Sequence, residues 1–239
     1  MKGLLYTFLI GDHDNLLPPP NQKGWDFICV TDKPRNVSGW KFVNLKEEDI
    51  GSENKRTAMT CMFNVFNYIE KEYDIIITMG ANMYVTKDLN KLVKKNNILE
   101  NDIVFLSHPN RKCVYQEIKE LVKNHKEKIN INNVEKAKDF LLKNNYPANN
   151  GLFATGVMFI NGKKNIVKEY FNEFKKDYKK AFSKRDQLII NYSLYKNSKR
   201  LPKLKYKTIP FKEIIAYQHR LKYAGNVSFI CAPHTEGFK

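Results

Sequence analysis

The sequence of 239 residues has few of the features that mark secreted, metal-rich or membrane-spanning proteins. Its cysteines, Cys29, Cys61, Cys113 and Cys231, form no C-x-x-C pair and no cluster with histidine, which argues against a zinc site or a disulfide framework. No apolar run approaches the roughly 20 residues that a transmembrane helix needs. The apolar start at residues 4–10 predicts a first strand rather than a signal peptide, because charged residues follow at once. We expect a cytoplasmic protein, for which peripheral contact with a membrane surface stays open.

The motifs of several common enzyme classes are also absent. The sequence contains no G-x-G-x-x-G, no P-loop, no G-x-S-x-G and no H-E-x-x-H. These absences argue against dinucleotide oxidoreductases, P-loop kinases and serine hydrolases.

Acidic residues are scarce in the second half of the chain. Residues 1–120 hold 16 basic and 16 acidic residues, whereas residues 121–239 hold 25 basic and 9 acidic ones. The formal net charge of +16 therefore arises in the second half, which favours an anionic partner such as a glycan, a lipid phosphate or DNA. The most basic segment, residues 196–222, has aromatic residues among its lysines. This pattern is typical of polyanion binding, and equally of a solvated basic surface over an aromatic core.

Hydrophobic periodicity predicts an α/β fold, in which strands alternate with helices. Strands are predicted at 4–10, 27–30, 41–43, 74–79, 103–106 and 156–160, and helices at 53–72, 114–124, 134–144, 166–178 and from after Ser183 to Tyr195. A loop is predicted at 145–155. We expect one doubly wound domain with a mostly parallel central sheet flanked by helices. Polar residues follow several strands, at the edge where such a sheet builds its site.

Five stretches of the sequence carry a resemblance to a known family: YTFLIGDHDNL, WDFICVTDKP with SGWKFV after it, HPNRKCVYQE, YPANNGLFATGVMFI and KRDQL. Together they cover about residues 4–195. They resemble the glycosyltransferase-like domains of unknown function found in bacterial polysaccharide loci, in viruses, and in plant proteins implicated in mucilage and turgor. That family is similar to the type-A (GT-A) nucleotide-sugar glycosyltransferases, which have a Rossmann-like sheet and bind the donor diphosphate beside an Asp-x-Asp motif and a divalent metal.

The resemblance implies a donor site at the ends of the first two strands. Tyr6, Thr7 and Gly11 would lie under the nucleotide, and Thr31 with Asp32 would hydrogen-bond its base or ribose. From the residues alone, Thr31 and Asp32 are equally well explained as a turn.

The chain departs from the family's metal motif. Where relatives carry a sequence like WIDGN, residues 78–82 read TMGAN, so that Gly80 replaces the first aspartate. Asn82 is a poor sole ligand for Mn²⁺ or Mg²⁺, because hard cations prefer charged oxygens. Candidate metal ligands are Asn82, Asp102 and His234. Neutralisation of the diphosphate by lysine and arginine, or a catalytically inactive copy, are the alternatives.

The loop after the strand predicted at 103–106 is assigned by the resemblance to the sugar or the acceptor. The residues of this loop are His108, Arg111, Tyr115 and Glu117. Asn149, Asn150 and Gly151 are candidates for sugar binding because amides both donate to and accept from hydroxyl groups and glycine allows close backbone approach. His219 and Arg220 are candidates for acceptor binding because they lie in the basic segment. Arg111 offers a fork of donors suited to phosphate or carboxylate, although Arg111 and Glu117 are equally explained as a structural ion pair. Ala154 stands near a position where relatives often carry glutamate.

The KRDQL stretch supplies the remaining candidates. Arg185 would bind the donor phosphates and Gln187 the sugar, at a helix N-terminus that favours anions. Asp186 and Glu117 are the candidate general bases of an inverting enzyme, whereas a retaining enzyme needs none. Alternatively, Ser183 and Asp186 form a helix capping box. The HTEGFK tail resembles the HxxGxxK ending of some type-A enzymes, with the spacing off by one residue.

The sequence therefore predicts a glycosyltransferase that moves a hexose or pentose from a nucleotide sugar to a hydroxyl of an anionic acceptor, a cell-surface or lipid-linked glycan. Residues 1–120 would form the nucleotide-binding half, and residues 121–239 the basic acceptor-binding half, of one domain. Two other functions stay open. One is a phage-type DNA glycosyltransferase that acts on hydroxylated bases, and the other is a degenerate module that binds nucleotide or glycan.

Overall fold

A computed structural model describes residues 1–12, 14–85, 87–124, 130–181, 185–211 and 216–218. Its strands are β1 (Gly3–Leu9), β2 (Trp25–Thr31), β3 (Lys41–Asn44), β4 (Ile75–Gly80), β5 (Met83–Val85), β6 (Ile103–Ser107), β7 (Phe153–Asn161), β8 (Tyr206–Pro210) and β9 (Ala216–Gln218). Its α-helices are α1 (Asn54–Phe63), α2 (Leu89–Lys95), α3 (Val114–Asn124), α4 (Ile131–Lys143), α5 (Asn165–Lys180) and α6 (Ile190–Asn197). Short 3₁₀ turns occur at Glu47–Asp49, Val65–Asn67, Ile98–Glu100 and Asp186–Leu188.

Seven of these strands form one mostly parallel sheet, which confirms the predicted α/β class. Their order is β3-β2-β1-β4-β7-β6-β8, and β5 pairs with β9 in a separate two-stranded sheet. Strands β1 to β4 are mutually parallel, β7 runs antiparallel to both β4 and β6, and β8 is parallel to β6. The carboxyl ends of six strands therefore meet at one edge of the sheet, together with the first residues of β7.

Apolar side chains cover both faces of this sheet. Every residue of β1 is buried, as expected for a strand with packed layers on each side. One face, with Tyr6 and Phe105, packs against α1 and the helices α3 to α6. The other face, with Ile77 and Phe159, packs against α2 and the indole rings of Trp25 and Trp40. The sheet is thus a rigid platform for the loops at its edge.

Three predicted elements differ most in their bounds. Helix α1 ends at Phe63 rather than continuing to residue 72, and the side-chain amide of the next residue, Asn64, donates to the buried carboxylate of Asp49 at 2.5 Å. Strand β7 begins at Phe153, inside the predicted loop. Where the last helix is predicted, the structure has a 3₁₀ turn at Asp186–Leu188 followed by α6. Ser183, the predicted N-cap of that helix, lies outside the described residues.

The two halves of the chain share one sheet. Strand β7, from the second half, lies between β4 and β6 of the first half. Helix α3 crosses residue 120 without a break. Within the part of the chain that the structure describes, no helix is long and apolar enough to span a bilayer.

Candidate functional site

The winding of the sheet marks a crevice between β1 and β4. From β1 the chain moves outward to β2 and β3, then returns to place β4 on the opposite side of β1. Ligands of open α/β sheets bind at the carboxyl ends of the strands where the winding reverses. The loops after β1, β2, β4 and β6 are therefore the candidate site.

The loops after β1 and β2 are locked together by charge. The backbone N–H of Gly11 donates to both oxygens of Asp32, at 3.1 and 3.0 Å. Arg35 donates to the carbonyl of Gly11 at 2.5 Å and to Asp12 at 3.0 Å. The Lys33 ammonium and then the Arg35 guanidinium hold the pKa of Asp12 below its ordinary value. Asp32 is exposed at this edge, and its two oxygens fix the Gly11 turn.

Three residues assigned to the nucleotide have structural roles in the fold. Tyr6 and Thr7 are fully buried, and their hydroxyls donate to the carbonyls of Cys61 and Met79, at 2.9 and 2.8 Å. The Thr31 hydroxyl accepts from the backbone N–H of Lys33 at 3.3 Å, as in the turn alternative. Tyr6 and Thr7 therefore lie in the core, where their hydroxyls join β1 to α1 and to β4.

The end of β4 does not fit a hard divalent cation. Gly80 and Ala81 have no ligating side chain, and a Cβ atom on Gly80 would lie 2.8 Å from Oδ1 of Asn82, the one amide oxygen present. Asp102 precedes β6, at the opposite edge of the sheet, where its carboxylate accepts from the backbone of Lys205 at 2.8 Å. Asp102 is therefore not brought to the edge where β4 ends. In the described ranges, no group of three or more His, Cys, Asp or Glu is placed to hold a metal.

The loop after β6 and helix α3 form an ion-pair cluster. Glu117 lies in the first turn of α3 and is 2% exposed. Its Oε2 accepts from Nε of Arg111 at 2.5 Å and lies 3.9 Å from Nε2 of His108. Nδ1 of His108 accepts from the backbone N–H groups of Asn110 and Arg111, at 3.2 and 3.1 Å, which fixes the turn after β6. The predicted ion pair is therefore present, and it lies at the strand edge.

The segment before α6 reaches the same cluster. Nη2 of Arg185 is 3.5 Å from Oε1 of Glu117 and donates to Oε1 of Gln187 at 3.3 Å. The Gln187 amide donates to the carbonyl of Phe153 at 2.8 Å, while the side chain of Asn191 accepts from the N–H of Phe153 at 3.2 Å. Both backbone groups of Phe153, at the start of β7, are thus bonded by side chains of the segment that follows Arg185.

Asp186 is a buried carboxyl group beside this cluster. It is 8% exposed, and its Oδ2 has no hydrogen-bond partner among the described residues. Burial raises the pKa of Asp186, and hydrogen bonds from the Thr155 hydroxyl and the Gln187 backbone oppose that rise, as do the charges of Arg185 and Lys55. A carboxyl group with a raised pKa at the carboxyl edge of an α/β sheet has the chemistry of a general acid or base.

The α4–β7 loop is built on aromatic hydroxyls. Tyr115 donates to the carbonyl of Tyr146 at 2.7 Å, and Tyr146 donates to the carbonyl of Asn150 at 3.1 Å. The side chains of Asn149 and Asn150 are exposed, as a role in binding hydroxyl groups requires. Gly151 has a φ of 84°, which a residue with a side chain adopts only with strain.

Lys55 is a site residue that the sequence analysis missed. It lies in the first turn of α1, near enough to Asp186 to lower the pKa of that carboxyl. Lys55 and Arg56 are cations at a helix N-terminus, where the helix dipole disfavours positive charge. This unfavourable placement of positive charge is the sequence feature from which Lys55 could have been predicted as a site residue.

Several cations in the described part of the basic segment 196–222 bind groups of the same chain. Lys196 pairs with Asp177 at 2.5 Å, Arg200 pairs with Glu173 at 2.7 Å, and Lys207 donates to the carbonyl of Asn96 at 2.6 Å. His219, Arg220 and His234 lie outside the described residues.

Solved structures with a similar fold are glycosyltransferases. The WbbM bifunctional glycosyltransferase matches with a TM-score of 0.52 and 13% identity, over 88% of this chain and 39% of that chain, so that this chain spans about two fifths of its length. Mouse xyloside xylosyltransferase 1 matches with a TM-score of 0.48 and 11% identity, over 87% of this chain and 85% of that chain. The galactosyltransferase LgtC matches with a TM-score of 0.44 and 12% identity, over 80% of this chain and 70% of that chain.

No family model matches the sequence, and the search of curated proteins finds no match. The structural likeness shows the fold, which is that of the GT-A glycosyltransferases. The glycosyltransferase-like fold implied by the sequence resemblance is confirmed.

Proposed function

We propose that this protein is a glycosyltransferase that moves a sugar from a nucleotide-sugar donor to a hydroxyl of an anionic glycan or lipid-linked acceptor. The observation that carries the proposal is Asp186, a buried carboxyl with a raised pKa, next to Arg185 and Gln187 at the carboxyl edge of a GT-A sheet. The nucleotide would lie over the crevice between β1 and β4, near Gly11 and Asp32. The sugar would then extend toward the starts of β7 and α3.

In an inverting transfer, Asp186 acts as the general base. Its ionised carboxylate takes the proton of the acceptor hydroxyl while the hydroxyl oxygen forms a bond to the anomeric carbon. The bond from that carbon to the phosphate oxygen breaks, and the nucleoside diphosphate leaves with the bonding electron pair. Arg185 and Lys55 stabilise the charge that develops on the leaving phosphate.

The pH dependence of the reaction tests this assignment. Because only ionised Asp186 accepts a proton, kcat/KM should rise with pH through the raised pKa of that carboxyl. The Asp186→Asn variant should lack this rise in its residual rate. A wild-type profile that is retained in the variant would contradict a base role for Asp186 and favour retention without a protein base.

Nucleotide binding without a metal is a second expected result. A panel of uridine, guanosine, cytidine and thymidine diphosphates and their sugars is measured by thermal shift, in MnCl₂ and in EDTA. One nucleotide family should raise the melting temperature by about 5 °C or more near 100 times its Kd, in EDTA as in manganese. The matching nucleosides without phosphate are the control. No shift with any nucleotide contradicts the proposal, and a shift confined to manganese contradicts metal-free binding.

A binding module without transfer activity is the second candidate. Gly80 and Ala154 favour it, because the family resemblance implies carboxylates at or near these positions. Release of nucleoside diphosphate from the donor that gives the thermal shift separates the two functions, since a binding module produces no release. A DNA acceptor is less favoured, because three cations of the basic segment already bind groups within the chain.

A further inference from the structure

Two buried polar atoms beside the candidate site have no partner in the fold. The hydroxyl oxygen of Tyr178 and Oδ2 of Asp186 are both buried, and neither has a hydrogen-bond partner among the described residues. The two residues as a whole are 7% and 8% exposed. Buried polar groups of folded proteins are nearly always hydrogen-bonded, to the chain or to water. The hydroxyl of Tyr178 and Oδ2 of Asp186 therefore lack the partner that such groups normally have.

The packing of α5 brings these two atoms to the same part of the molecule. Tyr178 lies in the last turn of α5, and Asp186 begins the 3₁₀ turn that follows this helix in the chain. The ring of Tyr178 stacks on Phe174 with a centroid distance of 5.7 Å, and Phe174 packs against Phe63 of α1 at 4.2 Å. The end of α5 is thus held against α1, whose first turn also supplies Lys55 to the surroundings of Asp186.

The pKa of the Tyr178 hydroxyl reflects this proximity. Burial raises that pKa, and Asp186 is the charged group that raises it most. At the start of α1, Arg56 lowers the pKa of Tyr178 and Glu53 raises it. The phenol of Tyr178 therefore stays protonated at neutral pH, where it can donate a hydrogen bond.

The two atoms differ in what they offer to a ligand. The protonated phenol of Tyr178 donates a hydrogen bond, whereas the ionised carboxylate of Asp186 can only accept one. A hydroxyl group accepts and donates, so that one hydroxyl satisfies both atoms. A phosphate oxygen only accepts, and it would leave Oδ2 of Asp186 without a donor. The pair is therefore selective for a hydroxyl group or a water molecule.

We propose that Tyr178 and Asp186 form a hydroxyl-binding site, which holds a water molecule in the free protein and the acceptor hydroxyl during transfer. The inference deepens the proposed function, on which it rests for the identity of the second ligand. The O–H group of the acceptor donates to Oδ2 of Asp186, and one lone pair of its oxygen accepts from Tyr178. The other lone pair is left for the bond to the anomeric carbon, which is the orientation that transfer requires. Tyr178 binds the hydroxyl, and only Asp186 takes a proton.

The Tyr178→Phe variant tests the site through activity and stability together. It removes only the hydroxyl and keeps the ring that stacks on Phe174. With acceptor present, kcat/KM for release of nucleoside diphosphate should fall about 10-fold, the effect of losing one hydrogen bond to the substrate. The melting temperature should not fall, because this hydroxyl binds no described group of the chain. An unchanged kcat/KM, or a lower melting temperature that shows a structural bond, overturns the proposal.

Tyr170→Phe is the matched control on the same helix. Tyr170 is fully buried, and its hydroxyl donates to the carbonyl of Ile190 at 3.3 Å. Removing this hydroxyl should lower the melting temperature by about 2–4 °C and leave kcat/KM unchanged, because the bond it makes lies within the fold. An equal loss of kcat/KM in Tyr170→Phe and Tyr178→Phe would show that any buried hydroxyl of α5 affects activity through the fold, which overturns the proposal.

A crystal structure of the free wild-type protein tests the site without any assay of activity. A water oxygen is expected within about 3.2 Å of both the Tyr178 hydroxyl and Oδ2 of Asp186. If no oxygen bridges the two atoms, the proposal is overturned. A bridging water combined with unchanged kcat/KM in Tyr178→Phe overturns the role of the site toward the acceptor and leaves the proposed function intact. A bridging water in a protein that releases nucleoside diphosphate from no donor supports the hydroxyl site and contradicts the proposed function.

Discussion

Replacing Asp186 by asparagine is expected to lower kcat/KM by about 10²- to 10⁴-fold, the usual contribution of a general base. The same substitution should raise the free energy of unfolding at neutral pH by about 1 kcal/mol, which corresponds to about 2–4 °C in melting temperature. Burial raises the pKa of Asp186 in the folded chain, whereas the unfolded chain ionises near the ordinary value. The contribution of Asp186 to the free energy of unfolding is thus present at low pH, and it is lost as the pH rises through the pKa that Asp186 has in the folded chain.

Asp177→Asn is the matched control for this prediction. Asp177 is fully buried, and its oxygens are bonded to Lys196 at 2.5 Å and to Ser193 at 3.0 Å. Removing its charge should lower the melting temperature, because the Lys196 ammonium loses its partner. Thermal denaturation of both variants at pH 5 and pH 8 measures the contrast. A lower melting temperature for Asp186→Asn at pH 8 would contradict the raised pKa as the cause.

Arg111→Ala is expected to destabilise the fold by about 3–5 kcal/mol, because it removes the closest partner of a buried carboxylate. Glu117 would be left with Arg185 at 3.5 Å and His108 at 3.9 Å. Urea denaturation, analysed by linear extrapolation, measures the loss.

The double variant Arg111→Met with Glu117→Met should recover most of that stability, since apolar side chains of similar volume replace a buried ion pair at little cost. A loss of less than about 1 kcal/mol in Arg111→Ala would show that Glu117 does not depend on Arg111.

The sheet was predictable where its strands are apolar throughout. The runs that became β1, β2, β4 and β6 are bounded by polar residues, and periodicity therefore located them. Strands β5, β8 and β9 were missed because they are short or mostly polar. The antiparallel direction of β7 has no local signature, since it depends on the path of the chain from β6 through α3 and α4.

The candidate site was predictable as a set of loops but not as a set of contacts. The sequence places Arg111 and Glu117 six residues apart, which left a pocket and an ion pair equally good explanations. Arg185 joins them only because the segment before α6 packs over the start of β7. Burial of Tyr6 and Thr7 under the loops likewise depends on packing, because tyrosine and threonine are common both inside proteins and in binding sites.

The central claim is that the carboxyl edge of the sheet supports sugar transfer, and release of nucleoside diphosphate from a panel of nucleotide sugars tests it most directly. The assay compares the wild type, Asp186→Asn and a control, Lys41→Gln, which removes an exposed cation paired with Glu70. Each protein is assayed with and without acceptor glycans, in MnCl₂ and in EDTA. The account predicts release from one donor family by the wild type and the control, and loss of at least about 100-fold in Asp186→Asn. No release from any donor would contradict it, whereas release by Asp186→Asn at the wild-type rate would contradict the base role of Asp186.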